Sequence, residues 1–185
     1  MKRLTFISIA AVILMATACS PAPDKHYLEK LCNFIPDHGL KVEARKYLTE
    51  SYFNAYAEAY EAPTGAYGEI GDNEWLFYFV SGNGDGIPVF KVNDVKRGNK
   101  DTLIATVEII GDPDPHQAVF VKDGDQWKID DWDGTKAQCV NYIKTMREQY
   151  AAGTIEQRLQ SDPDMAPYLD DFKKELNSFY EIYGE

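Results

Sequence analysis

Histidine, cysteine and positive charge are all scarce in this chain of 185 residues. It has three histidines, three cysteines, and 19 basic side chains against 30 acidic ones. The formal charge of −11 excludes the usual nucleic-acid binder, which needs clustered Lys and Arg to displace counterions from phosphates. His26, His38 and His116 are scattered, with no ligand at i, i+4 spacing, so no zinc site is expected. Calcium fits no better. Ser81, Asn83, Asp85 and Gly86 follow part of an EF-hand register, but the twelfth position is Val92, where a bidentate Glu is required; the cluster Asp130, Asp131, Asp133 and Gly134 fails in the same way at Val140. No metal and no cofactor is expected. Repeats and low-complexity tracts are absent too. With 26% charged and 44% apolar residues, the composition belongs to a globular chain, long enough for one domain with an appendage.

What is present begins with an address. Lys2 and Arg3 precede an apolar and small-residue run from Leu4 to Met15, and Ala16-Thr17-Ala18 leads to Cys19. The run is too short to span a bilayer comfortably, so a removed signal peptide is the expectation. The small residues before Cys19 resemble the lipobox of bacterial lipoproteins, with Ala16 where Leu is commonest. That resemblance implies cleavage before Cys19, a thioether-linked diacylglycerol there and an amine acylated by a palmitate-like chain. Two or three such chains hold a protein on a membrane unaided. Residues 1–18 are then a lipoprotein signal peptide and 19–25 a tether, with Pro21 and Pro23 opposing helix and strand. Removing 18 of the 185 residues leaves 167, and the loss of Lys2 and Arg3 moves the charge from −11 to −13. The expected location is the bacterial outer membrane, facing the periplasm or the exterior. Asp24, acidic and close behind the cysteine, is loosely similar to surface-export signals of Bacteroidetes lipoproteins.

The spacing of Leu28, Leu31, Cys32 and Ile35 predicts a first helix, broken at Pro36-Asp37-His38-Gly39. A second is predicted over about 41–61, with Leu48, Tyr52, Tyr56 and Tyr60 at i+4 steps. Strands follow: Trp75 to Val80, Ile87 to Lys96, Asp101 to Ile110, Gln117 to Lys122 and Gln126 to Trp132. The last two flank the hairpin turn Asp123-Gly124-Asp125. Four of the five suit a meander. Helix is predicted again over 135–151 on Cys139, Tyr142, Ile143, Met146 and Tyr150, stopped by Gly153. Thr154 and Gln157 have capping-box spacing, and a last helix from Asp162-Pro163 carries Leu169, Phe172, Leu176, Phe179 and Tyr183.

Two helices followed by a strand and a meander, ending in VFVKDGDQWKIDDWDG, resemble the nuclear transport factor 2-like fold, the ketosteroid isomerase cone. The stretch from Tyr47 to Phe53 before NEWLFYF is similar to small secreted lipoproteins of unknown function from Bacteroides-type bacteria. The resemblance implies an α+β cone domain over 26–150, in which N-terminal helices pack on a curved antiparallel sheet, with a helical extension over 151–185. No catalytic motif of that superfamily matches, and fold does not supply function.

With Cys19 lipidated, Cys32 and Cys139 remain as a candidate disulfide or as two separately buried thiols. Tyr52, Tyr56, Tyr60, Trp75, Tyr78, Trp127 and Asp130 either line an open cone or pack as core. Asp130 and Asp131 point to opposite faces of their strand, so one of them is either a cone carboxylate, a candidate general base with a raised pKa, or a solvent-facing or hydrogen-bonded Asp at a strand end, the commoner case. The expected function is a membrane-anchored, non-enzymatic domain binding a small amphipathic ligand or an envelope protein. The alternatives are a hydrolase or isomerase using an Asp or His in the cone, and an accessory lipoprotein docking through its C-terminal helix.

Overall fold

The computed structural model describes residues 23–38, 45–65 and 89–184. Cys19, the candidate strand 75–80 with Trp75 and Tyr78, and the turn 81–86 lie outside them. The described elements are α1 (Lys25–His38), α2 (Glu50–Glu61), β1 (Phe90–Asn99), β2 (Thr102–Ile109), β3 (Pro115–Asp123), β4 (Gln126–Trp132), α3 (Thr135–Ala152), α4 (Thr154–Ser161), a 3-10 turn at Ala166–Tyr168, and α5 (Leu169–Tyr183).

The strands form a four-stranded antiparallel meander in the order β1-β2-β3-β4. Alternation in the sequence dictates its faces. Leu103, Ala105, Val107 and Ile109 are buried on one side of β2, and Ala118 and Phe120 continue that face on β3, with Trp127 and Ile129 on β4. Leu28, Leu31 and Cys32 of α1 and Tyr52, Phe53 and Tyr56 of α2 belong to the same core.

The sheet corrects the expected cone. It is open and flat, not curled. Curling needs bulges that bend the strands across the middle of the sheet. Here the central β2–β3 ladder runs without a shift from Thr102 opposite Val121 to Glu108 opposite Pro115. The irregularities lie in the outer ladders, at Val92/Asp94, Arg97/Asn99 and Val119/Phe120. The motif VFVKDGDQWKIDDWDG therefore encodes a hairpin, which any antiparallel meander uses.

Local chemistry sets the helix ends. The carboxylate of Asp24 accepts the Tyr27 N–H at 2.7 Å and so caps α1. The helix predicted from 41 begins at Glu50, behind its N-cap Thr49, because Tyr47 to Thr49 pair with β4 instead. Gly153, at φ 66°, ends α3 and also occupies the N-cap position of α4. It displaces the Thr154–Gln157 capping box: the cap of α4 has no side-chain hydrogen bond, and the Gln157 N–H donates to the Gly153 carbonyl. Asp162-Pro163 starts a turn, not a helix. Asp162 accepts the Asp164 and Ala166 N–H groups, and α5 begins only at Leu169.

Candidate functional site

Three elements converge where β4 ends. Backbone pairing brings Thr49 against β4: its N–H donates to the Ile129 carbonyl at 2.9 Å, and Ile129 N–H donates to the Tyr47 carbonyl at 2.8 Å. That fixes the first turn of α2 beside Asp130. The Thr49 hydroxyl accepts the Tyr52 N–H at 3.3 Å as an N-cap and donates to Asp130 Oδ1 at 2.7 Å. Lys136, in the first turn of α3, reaches back with Nζ 2.7 Å from Asp130 Oδ1 and 2.8 Å from Ser51 Oγ. Ser51 Oγ lies a further 3.4 Å from the same carboxylate oxygen.

The electrostatics follow from this placement. Burial opposes the charge on Asp130, but the hydrogen bonds from Lys136 and Thr49, with the Lys136 charge, outweigh it and hold the carboxyl below its ordinary value. Asp130 is thus the hydrogen-bonded carboxylate at a strand end, not a general base with a raised pKa. The neighbouring carboxylate has a separate task. Asp131 accepts the N–H groups of Gly134 at 3.0 Å and Lys136 at 2.9 Å, capping α3 from outside the helix.

A second polar unit adjoins it. Asp133, at φ 48°, accepts the Gln117 N–H and lies 2.6 Å from His116 Nδ1. Asp112 lies 3.5 Å from the other ring nitrogen, and the imidazole stacks on Trp132 at 5.4 Å. Trp132 in turn meets Phe90 edge-on at 5.2 Å. The His116 unit thus ties the 110–115 turn to the β4–α3 junction.

The residues proposed to line a pocket are dispersed. Tyr52 and Tyr56 are core side chains, 1% and 2% exposed, and burial pushes both phenols up. Trp127 is core as well, while Tyr60, one turn beyond Tyr56, is 39% exposed. Asp130 faces Lys136 rather than an aromatic lining, and Trp75 and Tyr78 lie outside the described residues. Cys32 and Cys139 are buried with free thiols. Burial pushes both thiols up, Cys139 to about 12, so neither is an activated nucleophile. Among the described residues no group of three His, Cys, Asp or Glu is arranged to hold a metal ion.

Sequence reasoning missed Thr49, Ser51 and Lys136. Thr49 carried a readable signal, a hydroxyl residue just before an apolar periodic stretch. Lys136 carried none, because only the β4–α3 turn aims it at Asp130.

The arrangement is suited to holding three chain segments in register, with every carboxylate oxygen of Asp131 and Asp133 and Oδ1 of Asp130 already hydrogen-bonded or ion-paired within the protein. Compared with protein-family models, curated proteins and solved structures, the chain matches none. With the flat sheet, this overturns the assignment to the nuclear transport factor 2-like lipoproteins.

Proposed function

We propose that this protein is a lipid-anchored, non-catalytic interaction domain of a bacterial envelope, held by acyl chains on Cys19. The observation that carries the reading is the pattern of the first nineteen residues, a basic start, a short apolar run and small residues before a cysteine. Two features support it. The capped start of α1 follows Cys19 after only five residues, Ser20 to Asp24, as in a domain displayed close to its anchor. The polar groups at the β4–α2–α3 junction are engaged with each other, which suits a scaffold better than an acid–base pair. The outer membrane is the proposed site of anchoring.

The test is the intact mass of the full-length gene product extracted from membranes. The expected mass is that of the chain from Cys19 onward plus a diacylglyceryl group and an N-acyl chain, and a Cys19→Ser variant is expected unacylated in the soluble fraction. An unmodified Cys19, or cleavage elsewhere, would overturn the anchor. For the interaction role, thermal-shift screening of the chain from Ser20 onward against envelope glycans and lipids is expected to give a stabilising hit.

A further inference from the structure

The anchor point and the charge distribution together fix which end of the molecule meets the membrane. Helix α1 lies along the outer edge of β1, antiparallel to it. Its side chains serve the β1 backbone in order: Asn33 bonds both the N–H and the carbonyl of Phe90, Glu29 accepts the Val92 N–H, and Lys25 donates to the Asn93 carbonyl. Traced backward from Asn33 to Lys25, α1 therefore advances in the direction that β1 takes from Phe90 to Asn93. Beyond Asn93 the strand continues toward its turn with β2 at Asn99–Thr102. The chain before Lys25 leaves α1 at this same end. The turn between β3 and β4 is there too, since the Lys122 N–H donates to the Asp101 carbonyl at 2.9 Å.

Only Ser20 to Asp24 separate Cys19 from α1, and five extended residues reach at most about 18 Å. An anchor at Cys19 thus holds the hairpin end near the lipid surface. That end differs in charge from the rest. Residues 94–101 and 122–128 together hold five basic and four acidic side chains, in a chain whose net charge is −11. Two ion pairs lie within that set, Asp94 with Lys96 at 3.8 Å and Asp123 with Lys128 at 2.6 Å, each setting one base against one acid, so the excess stays basic by one. By contrast, residues 154–185 hold three basic and eight acidic side chains. They pack at the C-terminal ends of α2 and α3.

We infer that the β1–β2 hairpin end, through Lys96, Arg97 and Lys100, rests on anionic phospholipid headgroups. Fields from charged lipid fall off within a Debye length, about 8 Å at physiological salt, so only side chains brought close by the tether respond. Lys96, Arg97 and Lys100 are exposed at that end. The inference rests on Cys19 being the anchor, but it is testable whether or not the cell acylates that residue.

The experiment couples the chain from Cys19 onward to a maleimide lipid through the Cys19 thiol, since Cys32 and Cys139 are buried. Vesicles of phosphatidylcholine, with or without phosphatidylglycerol, are then treated with a membrane-impermeant lysine-acetylating reagent, and each lysine is read by mass spectrometry. On phosphatidylglycerol vesicles, Lys96 and Lys100 are expected to react several-fold more slowly than in the uncoupled protein. High salt, or phosphatidylcholine alone, is expected to abolish the protection. The triple variant Lys96→Gln, Arg97→Gln, Lys100→Gln is expected to remove any protection of Lys122, beside the adjoining turn. Solution-rate labelling of Lys96 and Lys100 on phosphatidylglycerol, protection of Lys173 and Lys174 instead, or equal protection on neutral lipid would each overturn it. Failure of the anchor reading appears separately, as an unmodified Cys19 in the cellular protein.

Discussion

Asp130 keeps its charge in a place where its surroundings oppose it. Its side chain is 23% exposed, and the burial penalty is met by one lysine and one hydroxyl donated from two different helices. Because the folded carboxyl ionises below its unfolded counterpart, its contribution to stability is complete above the unfolded pKa of about 3.9 and lost as pH falls through the lower folded value. Asp130→Asn is therefore expected to cost about 1 kcal/mol near neutral pH, with the gap to the unmutated protein closing below roughly pH 4. Denaturant melts across the acid range check this; a gap that stays constant to pH 2.5 or so would remove the ionised carboxylate from the account. The two buried cysteines support a second expectation. Lifted thiol pKa values and burial leave little thiolate at pH 8, so Cys32 and Cys139 should resist alkylation in the folded protein and both react once it is unfolded, with no reductant added. Failure to alkylate in denaturant until reductant is added would establish a bridge instead.

At the scale of elements, the outer edge of β1 shows how side chains can replace a strand. Phe90 and Val92 turn their backbone groups away from β2, and an edge left bare invites pairing with other chains. Asn33 and Glu29 of α1 satisfy those groups, so the helix packs on the sheet and protects its edge together. Asn33→Ala leaves the N–H and carbonyl of Phe90 without these bonds and is expected to cost about 1–3 kcal/mol and to speed Phe90 amide exchange. Asn93→Ala, whose side chain bonds Glu108 at the exposed surface, should cost under about 0.5 kcal/mol in the same denaturation series. The edge-capping roles of Asn33 and Glu29 were not legible beforehand, since the helix is read from the spacing of Leu28, Leu31, Cys32 and Ile35 alone. Legible features were those set by local periodicity, such as the alternation of β2, the Asp-Gly turn before β4 and the Gly153 stop. The start of α2 was lost because Tyr47 to Thr49, helical in spacing, gain more by bonding the edge of β4. Sheet curvature was lost for a different reason. It depends on where bulges align across strands, and a hairpin motif says nothing about that alignment.

For the molecule as a whole, the question is whether residues 154–184 are an appendage or part of the fold. Their contacts are those of a shared core. Tyr150 of α3 meets the rings of Phe172, Phe179 and Tyr180 at 6.0–6.4 Å, and its hydroxyl donates to the Pro63 carbonyl just past α2. Arg147 bonds Glu58 of α2 through Nε and Nη2, bonds the carbonyls of Tyr183 and Gly184, and lies over the Phe179 ring. A side chain on Gly65 would strike Ile155, so the end of α2 and the start of α4 approach closely. Ile155, Leu159, Phe172 and Phe179 are all 3% exposed or less. Full burial of such a side chain is worth about 1.5–3 kcal/mol, so four contribute roughly 6–12 kcal/mol before ordering costs, against a typical total stability of about 5–15 kcal/mol. A chain ending at Gly153 is thus expected to lose cooperative unfolding and to bind a hydrophobic dye, since Tyr150 loses the rings that cover it. Phe179→Ala in the full chain gives the graded form of the test, with an expected loss of about 3–5 kcal/mol and unfolding still in one transition. Two separate transitions in the full chain, or a stable, dye-silent chain ending at Gly153, would show that α4 and α5 merely rest on a complete domain.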